Sequence, residues 1–122
     1  LNQKGFSILE VLIGFIILAI GLLAIAALQT TSVKGNYFSN NLMQATYIAQ
    51  DRLEYLKNVS FDSLSSGNFS EDPITVRGMT FNRSYNITKT SDQNGDYYRI
   101  DYTVWWNDGV DHRITFSTIR SY

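Results

Sequence analysis

The sequence predicts an α+β chain in which one long N-terminal helix packs on a small antiparallel β-sheet. Three observations predict it. An apolar run occupies the first quarter of the chain, helical spacing continues past that run without a proline until Pro73, and the last third alternates apolar and polar residues between turn signals. The 122 residues leave room for one small domain. A formal net charge of -1 gives no bulk attraction to nucleic acid, and none is expected as a partner. The absence of cysteine excludes disulfides, thiolate metal sites and thiol nucleophiles. The average hydropathy is that of a soluble protein, but it conceals a division between an apolar N-terminus and a polar, aromatic remainder.

Phe6 to Leu28 form an apolar run of 23 residues, long enough at about 1.5 Å per residue to cross a hydrocarbon core of about 30 Å. Gly14 and Gly21 are tolerated in such a helix. A secretory signal peptide also sets a basic residue, here Lys4, before an apolar stretch. Its apolar part usually ends after about 7–15 residues, however, whereas this run continues at helical spacing into Gln29. Lys4 and the chain amine on one side, against Lys34 on the other, bias the N-terminus toward the cytoplasm.

Glu10 is the only charged residue between Lys4 and Lys34. Near the centre of a bilayer a carboxylate costs about 2.5–3.5 kcal/mol on insertion scales, so two readings stay open. Glu10 is either solvated at headgroup depth, or it has a charged partner. Gly5 offers a protease an unobstructed backbone, and cleavage between Gly5 and Phe6 would create an amine four residues from Glu10 on the same helical face. That amine and Glu10 could neutralise each other within one chain, or pair between neighbouring chains and set their register.

These residues carry a resemblance. Lys4-Gly5 followed by FSILEVLIGFIILAIGLLAIAALQ resembles the N-terminal signature of type IV pilins and pseudopilins. The resemblance implies a leader of residues 1–5 removed by prepilin peptidase, N-methylation of Phe6, and Glu10 at the fifth mature position as the assembly residue. It implies no cofactor and no catalytic site. It implies the inner membrane as the first location, with the N-terminus cytoplasmic, and the pilus or cell surface after assembly with other pilin subunits through their N-terminal helices. The run Ala19 to Gln29 further resembles the PilV-like minor-pilin branch, with the I-type minor pseudopilin of type II secretion next. Where major pilins carry a helix proline this chain has Ala27, which favours a minor subunit.

The helix is expected over residues 6–58, with 6–28 in the membrane, and would measure roughly 80 Å at about 1.5 Å per residue. Gly35 is its weak point, and the sequence leaves open whether the helix breaks or bends there. Phe38, Leu42, Ala45, Ala49, Leu53 and Leu56 recur at steps of four or three and form the stripe expected to pack on the sheet. Tyr37, Ile48 and Tyr55 form a flank to one side that could meet another subunit.

Residues 59–122 form the β-rich headgroup. Ser60 to Asp72 reads as a connecting loop. Ile74 to Val76 and Met79 to Lys89 flank a tight turn at Arg77-Gly78, and Asp92 to Gly95 turns the chain into Tyr97 to Trp106. Asn107-Asp108-Gly109 precedes His112 to Ile119, in which Ile119 breaks the alternation, as at a bulge. The result is a meander of three or four strands. His112 reads as a solvent-side strand residue, since a catalytic role needs partners the sequence does not supply. Asp92, Asn94 and Asp96 alternate like calcium ligands but lack a downstream glutamate, so a hairpin turn explains them better. Four Asn-x-Ser/Thr sequons begin at Asn58, Asn68, Asn82 and Asn86 and read as Asn- and Thr-rich strands and loops. Trp105, if exposed opposite Trp106, would mark a docking patch between subunits. Two other classes remain beside the minor pilin: a minor pseudopilin of type II secretion, and a single-pass membrane protein with a β-rich binding domain.

Overall fold

The computed structural model describes Gly5 and residues 7–121. Its elements are helix α1 (Ile8–Asn58), a 3₁₀ turn (Phe61–Ser63) and strands β1 (Gly67–Val76), β2 (Met79–Asp92), β3 (Gly95–Asn107) and β4 (Asp111–Ser121). The fold is α+β, a long N-terminal helix and a four-stranded antiparallel sheet in the order β1-β2-β3-β4. By contact the chain divides into a unit of residues 1–39 and a unit of residues 40–122.

In the first unit α1 runs unbroken through Gly35, the point that the sequence leaves open. A Cβ at Gly14, Gly21 or Gly35 would meet open space, so nothing within the chain forces glycine there, and one helical glycine costs only about 1 kcal/mol. The Thr30 and Thr31 hydroxyls each donate to the carbonyl four residues back, Ala26 and Ala27, at 3.1 Å. Their polarity is thereby satisfied inside the helix.

In the second unit the last turns of α1 pack on the sheet. Asn41, Ala45, Ile48, Ala49 and Leu56 are buried, and Leu42 and Leu53 are half-buried against the core. At about 100° per residue, this face is rotated by roughly 45° from the expected stripe. Ile48, expected on a flank open to another subunit, belongs to the core, whereas Tyr37 and Tyr55 are exposed. Phe38 stands in the preceding unit and is 38% exposed.

The sheet core is the inward face of β3. Tyr98, Ile100, Tyr102, Val104 and Trp106 alternate inward as the sequence predicts, joined from β2 by Met79, Phe81 and Ile87. Pairing places Phe69, Tyr85, Tyr102 and Phe116 in one row across all four strands. The Phe69 and Tyr85 rings stack at 4.9 Å, and those of Tyr85 and Tyr102 at 6.0 Å.

Three turns set the register. Arg77 and Gly78 both have positive φ, 50° and 81°, the conformation that a two-residue hairpin requires for its twist. Gln93-Asn94 link β2 to β3, with the Asn94 N–H donating to Asp92 Oδ1 at 2.7 Å. At the third turn the Gly109 N–H donates to Asn107 Oδ1 at 2.8 Å.

Two sequence expectations fail here. The stretch Ser60 to Asp72 is not all loop, because β1 begins at Gly67. As an edge strand it pairs only with β2, so polar residues line its outward face and blur the strand pattern. Pro73 sits where the register shifts between Glu71 and Ile74, a bulge that tolerates its missing N–H. Ile119 marks no bulge, since β4 pairs with β3 without a register shift. It lies on the outward face, 61% exposed.

One polar cluster ties helix to sheet. Glu71 Oε2 lies 2.6 Å from Arg52 Nη2, and Glu71 Oε1 accepts from the Tyr102 hydroxyl at 2.6 Å and from Arg52 Nε at 3.3 Å. Burial, followed by the hydrogen bond to Glu71, pushes the Tyr102 phenol well above its ordinary range, so it stays a donor at neutral pH. The Arg52 and Glu71 side chains are 28% and 15% exposed, which puts the pair between a surface bridge and a buried one. Glu71→Ala is therefore expected to destabilise the headgroup by about 1–3 kcal/mol, since it strands the Arg52 charge. A double-mutant cycle with Arg52→Ala, read from urea midpoints, checks this. Strictly additive losses would show that the two groups are not coupled.

Candidate functional site

The first turn of α1 is built around Ser7 and Glu10. The Ser7 carbonyl accepts the first helical bond, from the Val11 N–H at 3.1 Å, which makes Ser7 the N-cap. The Glu10 N–H donates to Ser7 Oγ at 3.1 Å, and the Ser7 N–H points back to Glu10 Oε2 at 3.4 Å. This reciprocal arrangement is a capping box. The spacing Ser-x-x-Glu before an apolar run signals this cap, so Glu10 has a helix-capping role besides that of an interfacial or pairing charge. The 3.4 Å contact is long for a hydrogen bond, so the carboxylate retains most of its capacity to accept from another donor.

Beyond Glu10 the helix exposes apolar side chains on every side. Residues 11–28 are all exposed, and the segment is long and apolar enough to cross a membrane. An apolar surface on all sides of a helix has to be buried by something outside the chain, lipid or other helices. Gly5 is exposed immediately before this segment. Phe6, expected to become the methylated terminus, and residues 1–4 of the expected leader lie outside the described residues.

The other predicted positions, Phe38 excepted, fall in the second unit. Ala45, Ala49 and Leu56 reach the core, and Leu42 and Leu53 pack at its border. Two residues of the inward helix face escaped sequence reasoning because they are polar: Asn41, 4% exposed, and Arg52, which Glu71 neutralises. His112 is not on the solvent side. It shares the inward face with Ile114 and Phe116, packs against Trp106 at 5.3 Å between ring centroids, and its Nε2 lies 2.9 Å from Asp108 Oδ1. Asp92 and Asn94 form the β2–β3 turn, and Asp96 pairs with Lys89 at 2.9 Å. Trp105 is half-buried, with the Arg113 guanidinium 5.8 Å from its ring centroid.

Asp101, on the outward face of β3, accepts from the Ser117 hydroxyl and from Arg99 Nε at 3.1 Å. These two donors, Ser117 foremost, hold its carboxyl below the ordinary range. A depressed folded pKa adds stability above the ordinary aspartate range, and this stability is lost as the pH falls through the folded value.

Residues 1–26 match the prokaryotic N-terminal methylation motif, the signal of type IV prepilin-like precursors. The match supports the pilin family, whose members are structural subunits rather than enzymes. It also fits anchoring in the inner membrane, processing by prepilin peptidase and assembly with other pilins. No curated protein and no solved structure matches the chain.

Proposed function

We propose that this chain is a minor pilin subunit of a type IV pilus, cleaved after Gly5, N-methylated at Phe6, held in the inner membrane with its N-terminus cytoplasmic, and then assembled into the filament or used to prime it. The observation that carries the reading is the methylation motif over residues 1–26, which overlaps the apolar helical stretch 11–28, exposed on all sides and preceded by Glu10, the one acid before Lys34. Lipid covers that surface before assembly, and the helices of neighbouring subunits cover it afterwards. Glu10 then pairs with the Phe6 amine of the adjacent subunit, a position-specific attraction in a medium where unpaired charge is costly. Ala27, in place of the helix proline of major pilins, favours the minor subunit.

Mass spectrometry of the mature protein from its native host tests the reading. A chain beginning at N-methylated Phe6 is expected, and Gly5 replaced by a bulky residue should leave the leader attached. An intact N-terminus on mature wild-type protein would instead identify a static single-pass anchor. A minor pseudopilin of type II secretion would share the same terminus, and the two are separated by whether the protein is recovered with sheared pili.

A further inference from the structure

The two edges of the sheet are not alike. At the β1 edge Pro73 has no N–H, the register shifts between Glu71 and Ile74, and the Asp72 carbonyl accepts from Arg83 Nε at 2.8 Å. A proline and a bulge are devices that keep an edge strand from pairing further. The β4 edge has neither, and its register against β3 is unbroken from Asp111 to Ser121. Between Arg113 and Arg120 its middle, Ile114 to Ile119, is uncharged, mostly β-branched or aromatic, and free of proline and glycine. Such a stretch on an open edge is a template for another extended chain. As the outermost strand, β4 turns every second N–H and C=O away from β3, and over 113–121 its backbone makes no further hydrogen bond among the described residues.

Two observations beside that edge define what the added chain carries. The inward residues of β3 from Tyr98 to Trp106 are buried at all but intervening positions, whereas those of β4 are only half-buried. Between β4 and the end of α1 opens a groove of about 320 Å³, lined by Leu53, Glu54 and Lys57 of the helix and by Phe116 and Thr118 of the strand. Leu53 and Phe116 pack at the border of the core, so the groove suits an apolar side chain. Arg120 lies on the same inward face; its Nε is buried without a hydrogen-bond partner, and it forms no ion pair among the described residues. A guanidinium with a buried, unused donor is matched best by a carboxylate. A second copy of β4 does not supply one, because opposite residues of an antiparallel pair share a face and the only acid of β4, Asp111, faces outward. The β1 edge of a second copy is closed by Pro73 and its bulge. We propose that β4 receives a fifth strand from a different protein, antiparallel to it, with an acidic side chain opposite Arg120 and, four residues later, an apolar side chain opposite Phe116 that enters the groove.

The test uses the full chain in detergent and an end-capped fluorescent peptide, Glu-Thr-Val-Lys-Leu-Thr-Val, which sets Glu and Leu at that spacing on one face. Saturable binding is expected in fluorescence polarisation, weakened by about tenfold or more in Arg120→Gln. Arg120→Glu is expected to prefer the peptide with Lys in place of its Glu. Should a change at Arg120 disturb the fold, the peptide with Gln in place of Glu removes the same contact and leaves the protein untouched. Two further peptides, N-methylated at one or the other set of alternate amides, keep every side chain; the one methylated on the side facing β4 is expected not to bind, and the other to bind. No saturable binding at millimolar peptide, equal binding of the two methylated peptides, or equal affinity for the Glu and Gln peptides would overturn the assignment. A dimer of the chain that the peptide dissociates would make a second copy the occupant and overturn it too. None of these outcomes depends on cleavage after Gly5 or on filament assembly, so the strand addition and the pilin reading stand or fall separately.

Discussion

Glu10→Gln is expected to insert and fold like the wild type but to be depleted from filaments on the order of a hundredfold. The substitution is discriminating because Ser7 and residue 10 form a capping box, a role that glutamine fills as well as glutamate. The cap therefore survives while the charge disappears. If the charge pairs with the Phe6 amine of a neighbouring subunit in an apolar surrounding, removing it strands that amine. Breaking such a pair costs roughly 3–5 kcal/mol, and each 1.4 kcal/mol is about a factor of ten. Membrane and sheared-filament fractions from cells carrying wild type or Glu10→Gln, probed for this subunit, measure the effect. Glu10→Ala is the companion, since it removes cap and charge together and is expected to lower membrane accumulation as well. Filaments containing Glu10→Gln at wild-type levels would reduce Glu10 to the cap it forms with Ser7.

The second large effect is expected at Tyr102, which is fully buried at the centre of the aromatic row and donates to Glu71. Tyr102→Ala removes the ring between Tyr85 and Phe116 and leaves Glu71 with Arg52 as its remaining partner. Deleting a buried aromatic ring costs about 3–5 kcal/mol, a large share of the roughly 5–15 kcal/mol by which small domains are stable. Tyr102→Phe keeps the ring and loses only the hydroxyl, for about 1.5–3 kcal/mol. A fragment of residues 29–122, expected to fold in water, is suited to the measurement, because it contains the whole compact unit that begins at Asn40. Its unfolding in urea is expected to be cooperative, with midpoints falling in the order wild type, Tyr102→Phe, Tyr102→Ala. A loss below about 1 kcal/mol for Tyr102→Ala would mean that the core is centred elsewhere.

Features whose causes are local can be read from the residues alone. The apolar run needs no partner to be read, because its length and its single acid are properties of consecutive residues. The hairpins at Arg77-Gly78 and Asn107 to Gly109 were legible because turn conformation depends on the few residues that adopt it. The inward face of β3 was legible for a related reason: the strand is central, and burial on one side imposes strict alternation. Other features are relations between distant segments and arise only when the folded chain brings those segments together. β1 is a strand because β2 lies beside it, and its polar outward residues and Pro73 hid that from any local rule. The inward face of α1 is turned toward Ile48 and Arg52 because Glu71, nineteen residues further on, neutralises the arginine and lets it face the core. The contact between Asp101 and the Ser117 hydroxyl exists only once strand register sets the two residues side by side, since burial and pairing depend on which surfaces meet in space.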